Sequence, residues 1–152
     1  MVRKNRRNVT LDSSVLISYV ISKKNDSVVK KVVTKSTTDD RLMLTDIIAD
    51  ECIAYTDKPR ANVFKDIMWK RLKELCPHII EVRPMPSAEE LQRKYKIRDL
   101  KDVKILYSVE MTNSVILVTY DDDFFDGVEG VNAKIVKPVD YLYEAEDDER
   151  DN

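Results

Sequence analysis

The chain has 152 residues, of which 43% are hydrophobic and 36% are charged, and its formal net charge is −2. This length supports one domain with a single substantial core and is too short for two ordinary domains. With one histidine, His78, and two cysteines, Cys52 and Cys76, the composition argues against a zinc site and against Cys/His nucleophilic catalysis.

Charge is distributed unevenly along the chain. Residues 1–7 carry four bases, residues 58–74 carry six bases against two acids, and residues 144–151 carry six acids against Arg150. A polyanion can therefore bind locally despite the acidic average, although a solvated basic face is the simpler interpretation. We interpret residues 1–143 as one domain and residues 144–152 as an acidic C-terminal tail.

The sequence offers no membrane segment. No apolar run approaches the roughly 18 residues of a membrane span. The basic start leads into one short apolar stretch that Asp12 interrupts, which is typical of neither an anchor nor a signal peptide. We expect a cytoplasmic protein with no membrane partner.

Strands and helices are predicted to alternate along the first half of the chain. In chain order, we expect strand Asn8–Leu11, a helix starting at Ser13, a helix over residues 26–35, strand Leu42–Leu44 and a helix capped by Thr45. The helix after Thr45 carries Ile48, Cys52 and Tyr55 at helical spacing, and Glu51 falls on or beside that apolar stripe.

The second half continues the alternation. In chain order, we expect a helix over residues 61–75, strand Ile79–Val82, a helix from Ser87 to about Lys94, a helix from about Asp99 to Met111, strand Val115–Val118, strand Ala133–Val136 and a turn or helix opened by Pro138. This order predicts an α/β fold with three α/β/α layers and a central parallel sheet of four to five strands.

Four dispersed acids stand where a strand is predicted to end or where a helix is predicted to face inward. Asp12 and Asp121 directly follow strands, Asp102 lies near the start of a helix, and Glu51 lies on an inward-facing helix. Ligands of parallel sheets bind beyond the carboxyl ends of the strands, and Asp12 and Asp121 meet there if the first and fourth predicted strands are neighbours. Carboxylates brought together repel one another unless they share a cation.

Each acid also has a simpler structural interpretation. Asp12 and Asp102 can cap the helices that follow them, and Asp121 and its neighbours can form an acidic turn. Asp99 can be a cap, with Asp102 as the ligand. Glu51 is the most informative, because a carboxylate in an apolar stripe costs several kcal/mol unless it is paired, hydrogen-bonded or metal-bound. A Lys or Arg partner is the alternative for Glu51.

Four blocks of sequence carry a resemblance to a known family. They are Leu11-Asp12-Ser13-Ser14-Val15-Leu16, Thr45 with Glu51, Asp99-Leu100-Lys101-Asp102, and Leu117-Val118-Thr119-Tyr120-Asp121-Asp122-Asp123-Phe124. In this order, and over residues 11 to 124, the chain resembles the PIN-domain family of metal-dependent ribonucleases. The set is more specific than any single block, since an aspartate after an apolar strand is common.

The resemblance implies a metal site and a reaction. Asp12, Glu51, Asp102 and Asp121 would be the catalytic and metal-binding acids, with Asp123 as an additional ligand and Ser14 and Thr119 as supporting polar groups. The implied ion is Mg²⁺ or Mn²⁺, which fits hard oxygen ligands. The implied partners are an RNA substrate, an antitoxin protein and a second copy in a homodimer, because small members are commonly toxins of toxin–antitoxin pairs.

Two other functions compete with the ribonuclease. A phosphoacceptor receiver domain also has acids at strand ends, and Lys137-Pro138 resembles its Lys-Pro ending. A receiver requires paired acids after the first strand and an aspartate after its middle strand, where Arg83 stands, and it leaves Glu51 and Asp102 unexplained. A non-catalytic PIN-like RNA-binding module is the second alternative; its signature is loss of an acid, and none of the four is lost.

Overall fold

A four-stranded, fully parallel sheet forms the centre of the molecule. The computed structural model describes residues 6–22, 27–97, 100 and 102–150, the last six by their backbone alone. The strands are β1 (Asn8–Leu11), β2 (Arg41–Met43), β3 (Ile116–Val118) and β4 (Lys134–Val136). They lie side by side in the order β2-β1-β3-β4.

Helices cover both faces of this sheet and complete the predicted three-layer α/β/α fold. They are α1 (Ser13–Ile21), α2 (Val28–Thr38), α3 (Asp46–Tyr55), α4 (Lys65–Leu75), α5 (Ala88–Tyr95), α6 (Val103–Met111) and α7 (Pro138–Arg150). Within the described residues, no helix is both long enough and apolar enough to cross a membrane.

The core follows from the sequence pattern, because the strands are apolar on both faces and the helices on one. Val9, Leu11, Leu117 and Val118 are inaccessible to solvent in the two central strands. Burial on both faces is what a parallel sheet between helix layers requires. The helices contribute further fully buried side chains: Val15, Val32, Ile48, Leu72, Ile105, Leu106 and Tyr141.

Helix starts were predicted best where a hydroxyl caps the helix. Thr45 and Ser87 accept hydrogen bonds from the backbone N–H groups of Ile48 and Glu90, as the sequence predicts. Ser27 caps α2 in the same way, and that helix runs on to Thr38, three residues beyond the predicted end.

Several predicted boundaries are wrong. The helix expected over residues 61–75 begins at Lys65, because Asn62 takes a positive φ of 56° that interrupts a helix. The helix expected from about Asp99 begins at Val103, while Asp99 itself lies outside the described residues. The second strand is Arg41–Met43, one residue earlier than expected.

The predicted strand Ile79–Val82 does not form. Only Ile80 pairs, through a single parallel bridge to Thr45. The amide of Val82, two residues further on, donates to the side chain of Asp46 at 3.2 Å. Because β2 ends at Met43 and the chain then enters α3, no further strand backbone remains beside Ile80 for a ladder.

The C-terminal segment is helical where the sequence suggests an acidic tail. Helix α7 crosses residue 143 and continues to Arg150. Glu144 is packed rather than solvated, because it accepts two hydrogen bonds from Arg7, at 2.8 and 3.1 Å. The division of the chain at residue 143 stays a prediction.

Candidate metal centre

The two central strands bring the sequence-predicted acids to one edge of the sheet. Leu11 of β1 is in register with Val118 of β3, and the Asp12 amide continues the ladder to the Val118 carbonyl at 2.9 Å. The predicted first and fourth strands are therefore neighbours. Asp12 and Thr119 leave the sheet side by side at its carboxyl edge, where parallel sheets bind ligands.

Asp12 is buried but does not cap the helix that it precedes. It occupies the N-cap position of α1, and its carboxylate makes no capping hydrogen bond. One oxygen instead accepts from Thr119 Oγ1 at 2.8 Å and from Ser14 Oγ at 3.1 Å. Burial raises the pKa of Asp12; the nearby Asp121 charge adds to this, and the two hydroxyl hydrogen bonds oppose it.

Thr119 and Ser14 connect Asp12 to the following loop. Thr119 Oγ1 also accepts from the Asp121 amide at 3.0 Å. Ser14 Oγ accepts from the Tyr120 amide at 3.2 Å. The two hydroxyls thus fix the backbone of residues 120 and 121 relative to the Asp12 carboxylate.

Asp102, Asp121 and Asp123 form the tightest acidic group in the described part of the chain. Each offers a carboxylate oxygen, and these oxygens all lie within 4.8 Å of one another. Asp102 is buried at the N-cap position of α6 and, like Asp12, makes no capping hydrogen bond. Asp121 does support a turn, since it accepts from the Asp123 amide at 3.0 Å.

Asp122 lies apart from this group. Its side chain is almost fully exposed and forms an ion pair with Lys137. Two of the three consecutive aspartates, Asp121 and Asp123, therefore share the pocket with Asp102 while the middle one does not.

Glu51 is near the site but is not one of the three clustered acids. It is half-buried on α3 and accepts a hydrogen bond from Ser13 Oγ at 2.8 Å. It also lines a cavity of about 420 Å³ together with Lys104. Asp12 likewise lies outside the 4.8 Å group, although the Asp121 charge contributes to the raised pKa of Asp12.

Cys52 lies buried beside the two flanking acids. Burial raises the pKa of its thiol to about 12, and the charges of Glu51 and Asp12 add to the shift. A thiol in this state is not a nucleophile near neutral pH. Cys52 is part of the hydrophobic core.

Two contributors were missed by sequence reasoning. Ser13 was taken only as a helix start, yet its hydroxyl fixes Glu51, 38 positions away. Lys137 was noted only as part of a Lys-Pro pair, yet it contacts the loop that carries Asp121 and Asp123. Neither contact has a sequence signal, because both join residues that are far apart in the chain.

The donor set fits Mg²⁺ or Mn²⁺. The groups brought together are carboxylates supported by hydroxyls, and these are the hard oxygen ligands that such ions prefer. Three close carboxylates would repel one another without a shared cation. With three protein oxygens, a six-coordinate ion keeps positions for water and substrate.

Comparisons with known proteins agree with this geometry. The sequence profile of the PIN domain matches residues 9–130. The chain is similar to the crystal structure of PAE2754 from Pyrobaculum aerophilum, with 15% identity and a TM-score of 0.59 over 93% of this chain and 90% of that chain. No curated protein matches.

A second solved structure is similar to the chain. It is VapBC2 from Rickettsia felis bound to a DNA fragment from their promoter, with 11% identity and a TM-score of 0.59 over 84% of this chain and 98% of that chain. At such low identity, the likeness to either structure establishes the fold alone.

Proposed function

The chain belongs to the PIN-domain family, a family of nucleases, and from this premise we propose that it is a Mg²⁺- or Mn²⁺-dependent endoribonuclease. Asp12, Glu51, Asp102 and Asp121 are the proposed catalytic acids, with Asp123 as a further metal ligand. The reaction is hydrolysis of an RNA phosphodiester by water. No protein nucleophile is needed.

One observation carries the proposal: Asp102, Asp121 and Asp123 converge within 4.8 Å at the carboxyl edge of the sheet. These acids come from two separate segments of the chain, at the start of α6 and after β3. Asp12 is linked to them through Thr119. A fold that concentrates negative charge in this way, against its own repulsion, gains from it when a divalent cation binds.

The side chains divide the work. Asp102, Asp121 and Asp123 would hold the ion, which supplies positive charge for a phosphate oxygen and lowers the pKa of a water molecule. Asp12, which Thr119 and Ser14 hold beside the 119–121 backbone, would add its carboxylate to this site. Glu51, held by Ser13, faces the adjoining cavity and is placed to accept a proton from water.

We further propose that the protein is the toxin of a toxin–antitoxin pair, acting as a homodimer in the cytoplasm. Its support is the family and the likeness of its fold to a chain in the VapBC2 complex. The RNA cleaved would be selected by groove shape and loop contacts rather than by the acids.

Cleavage of labelled RNA by the purified chain tests the activity. We expect cleavage with Mg²⁺ or Mn²⁺, none with a chelator, and loss in Asp121→Asn of roughly 10³-fold. The matched control is Asp39→Asn, because Asp39 is exposed at the C-terminal end of α2. This variant should cleave RNA like the wild type.

Two results would contradict the ribonuclease. Equal cleavage by the wild type and Asp121→Asn would point to a contaminating nuclease. RNA binding without cleavage under any metal condition would favour the non-catalytic PIN-like module instead.

A further inference from the structure

Lys137 makes contacts that the proposed reaction does not account for. It directly follows β4, whose last residue, Val136, accepts a hydrogen bond from the Thr119 amide at 3.0 Å. Lys137 is therefore placed at the carboxyl edge of the sheet, beside the point where the chain leaves β3. The Lys-Pro pair that resembled a receiver ending thus lies next to the acidic loop.

The Lys137 ammonium contacts this loop at three positions. It donates to the Tyr120 carbonyl at 3.0 Å and to the Asp122 carboxylate at 2.5 Å. It also lies 4.7 Å from the centre of the Phe125 ring. The three contacts alternate with Asp121 and Asp123, so one side chain holds the loop on either side of both clustered acids.

The contact with Asp122 has a second consequence. Like charges repel, and Asp122 stands between two acids of the cluster. Its ion pair with Lys137 keeps the third carboxylate out of the pocket. Each contact is weak at an exposed site, but all three share the cost of ordering a single side chain.

We propose that Lys137 is a positioning residue that clamps residues 120–125 so that Asp121 and Asp123 meet Asp102. The proposal rests on the metal site of the proposed function. The clamp replaces no ligand and touches no reacting atom. Its effect is to order the loop before the cation binds, in the manner of the outer partners that orient metal ligands.

Electrostatics gives the test a sign. Lys137 is a cation beside a cation site, so if charge alone mattered, its removal would tighten metal binding. If Lys137 orders the loop, its removal must weaken binding. The two roles therefore predict opposite changes in the dissociation constant of Mn²⁺.

The experiment is calorimetric titration of Mn²⁺ into the full chain carrying Lys137→Gln, Lys137→Arg or Lys134→Gln. We expect Lys137→Gln to raise the dissociation constant roughly 10-fold, and Lys137→Arg to recover most of the loss because arginine can make the same contacts. Lys134→Gln removes the same charge from an exposed position in β4 and should leave binding unchanged or slightly tighter.

Hydrogen exchange without metal provides a second readout. The amides of Asp121, Asp123 and Phe124, which are hydrogen-bonded within residues 119–124, should exchange faster in Lys137→Gln than in the wild type. If the wild type binds Mn²⁺, an unchanged or smaller dissociation constant in Lys137→Gln overturns the clamp. If the wild type binds none, the metal site fails instead, and exchange alone decides: faster exchange supports the clamp and unchanged exchange overturns it.

Discussion

Two aspartates at opposite edges of the sheet are almost equally buried, but their carboxylates have different hydrogen-bond donors. Asp40, 5% exposed, lies at the amino edge, where Arg7 precedes β1 and donates two hydrogen bonds to it at 3.1 Å. Tyr141 donates a third at 2.6 Å. Asp12, 4% exposed, follows β1 at the carboxyl edge, and its side-chain donors are the hydroxyls of Thr119 and Ser14.

The charged groups near the two aspartates also differ. At the amino edge, Glu144 also pairs with Arg7, and the hydrogen bonds to Glu144 and Asp40 raise the pKa of the Arg7 guanidinium. At the carboxyl edge, the charge that acts on Asp12 is that of another acid, Asp121, and it adds to the raised pKa of Asp12. Within the described residues, Asp12 takes part in no ion pair.

Burial alone therefore does not distinguish an acid that stabilises the fold from an acid that binds a metal ion. A buried charge is tolerated when an opposite charge accompanies it. The amino edge carries its own cations, whereas the acids of the carboxyl edge are proposed to receive theirs from solution. Substitutions at the two edges should therefore change stability in opposite directions.

The largest change is expected at the amino edge. Asp40→Asn leaves the Arg7 guanidinium with one carboxylate instead of two and should lower the free energy of unfolding by roughly 2–4 kcal/mol. Urea unfolding with a chelator present measures this. Asp39→Asn, an exposed neighbour, should stay within about 0.5 kcal/mol of the wild type. If Asp40→Asn lost no more free energy of unfolding than Asp39→Asn, the stabilising role of Asp40 would be contradicted.

A smaller change of opposite sign is expected at the carboxyl edge. Asp12→Asn removes a buried charge while its amide oxygen can still accept from Thr119 and Ser14. In chelator, we expect the free energy of unfolding to rise by about 0.5–2 kcal/mol, the gain typical of relieving a functional site. A less stable variant would mean that Asp12 is a structural acid like Asp40.

The difference in free energy of unfolding between Asp12→Asn and the wild type should also change with pH. This change is the smallest expected effect, and it reports on the Asp12 carboxyl group alone. Because burial raises the folded-state pKa of Asp12 above 3.8, the folded chain favours the protonated form. The resulting stability is present below pH 3.8 and is lost as pH rises through the folded-state pKa. The advantage of Asp12→Asn over the wild type should therefore grow with rising pH. A constant difference would contradict the burial account.

The sequence predicted the parts of this picture that depend on local pattern. The short apolar runs ending at Leu11 and Val118 predicted the two central strands, and Asp12 and Asp121 after them predicted a candidate site at the carboxyl edge. Thr45 and Ser87 were recognised as caps because capping is a relation over three residues. The strand expected at Ile79–Val82 failed because its partner strand had already ended, which its own residues do not reveal.

Long-range pairing could not be predicted. Arg7 meets Asp40 across 33 positions and Glu144 across 137, so its role as the cation of the amino edge has no local signal. Glu51 was rightly recognised as needing a partner, but the Ser13 hydroxyl that it accepts from was not foreseen. For the same reason, the sequence predicted the candidate acids and not the lysine that contacts the loop carrying two of them.

The proposal that the acids of the carboxyl edge bind a divalent cation is tested most directly by unfolding the wild type, Asp40→Asn and Asp121→Asn with and without Mn²⁺. A ligand that binds only the folded chain stabilises it by about 2.7 kcal/mol at 100 times its dissociation constant. Wild type and Asp40→Asn should gain this stabilisation, which rises with the logarithm of the Mn²⁺ concentration, and Asp121→Asn should gain little. If Mn²⁺ did not stabilise the wild type, or stabilised Asp121→Asn equally, the proposed metal site would be contradicted.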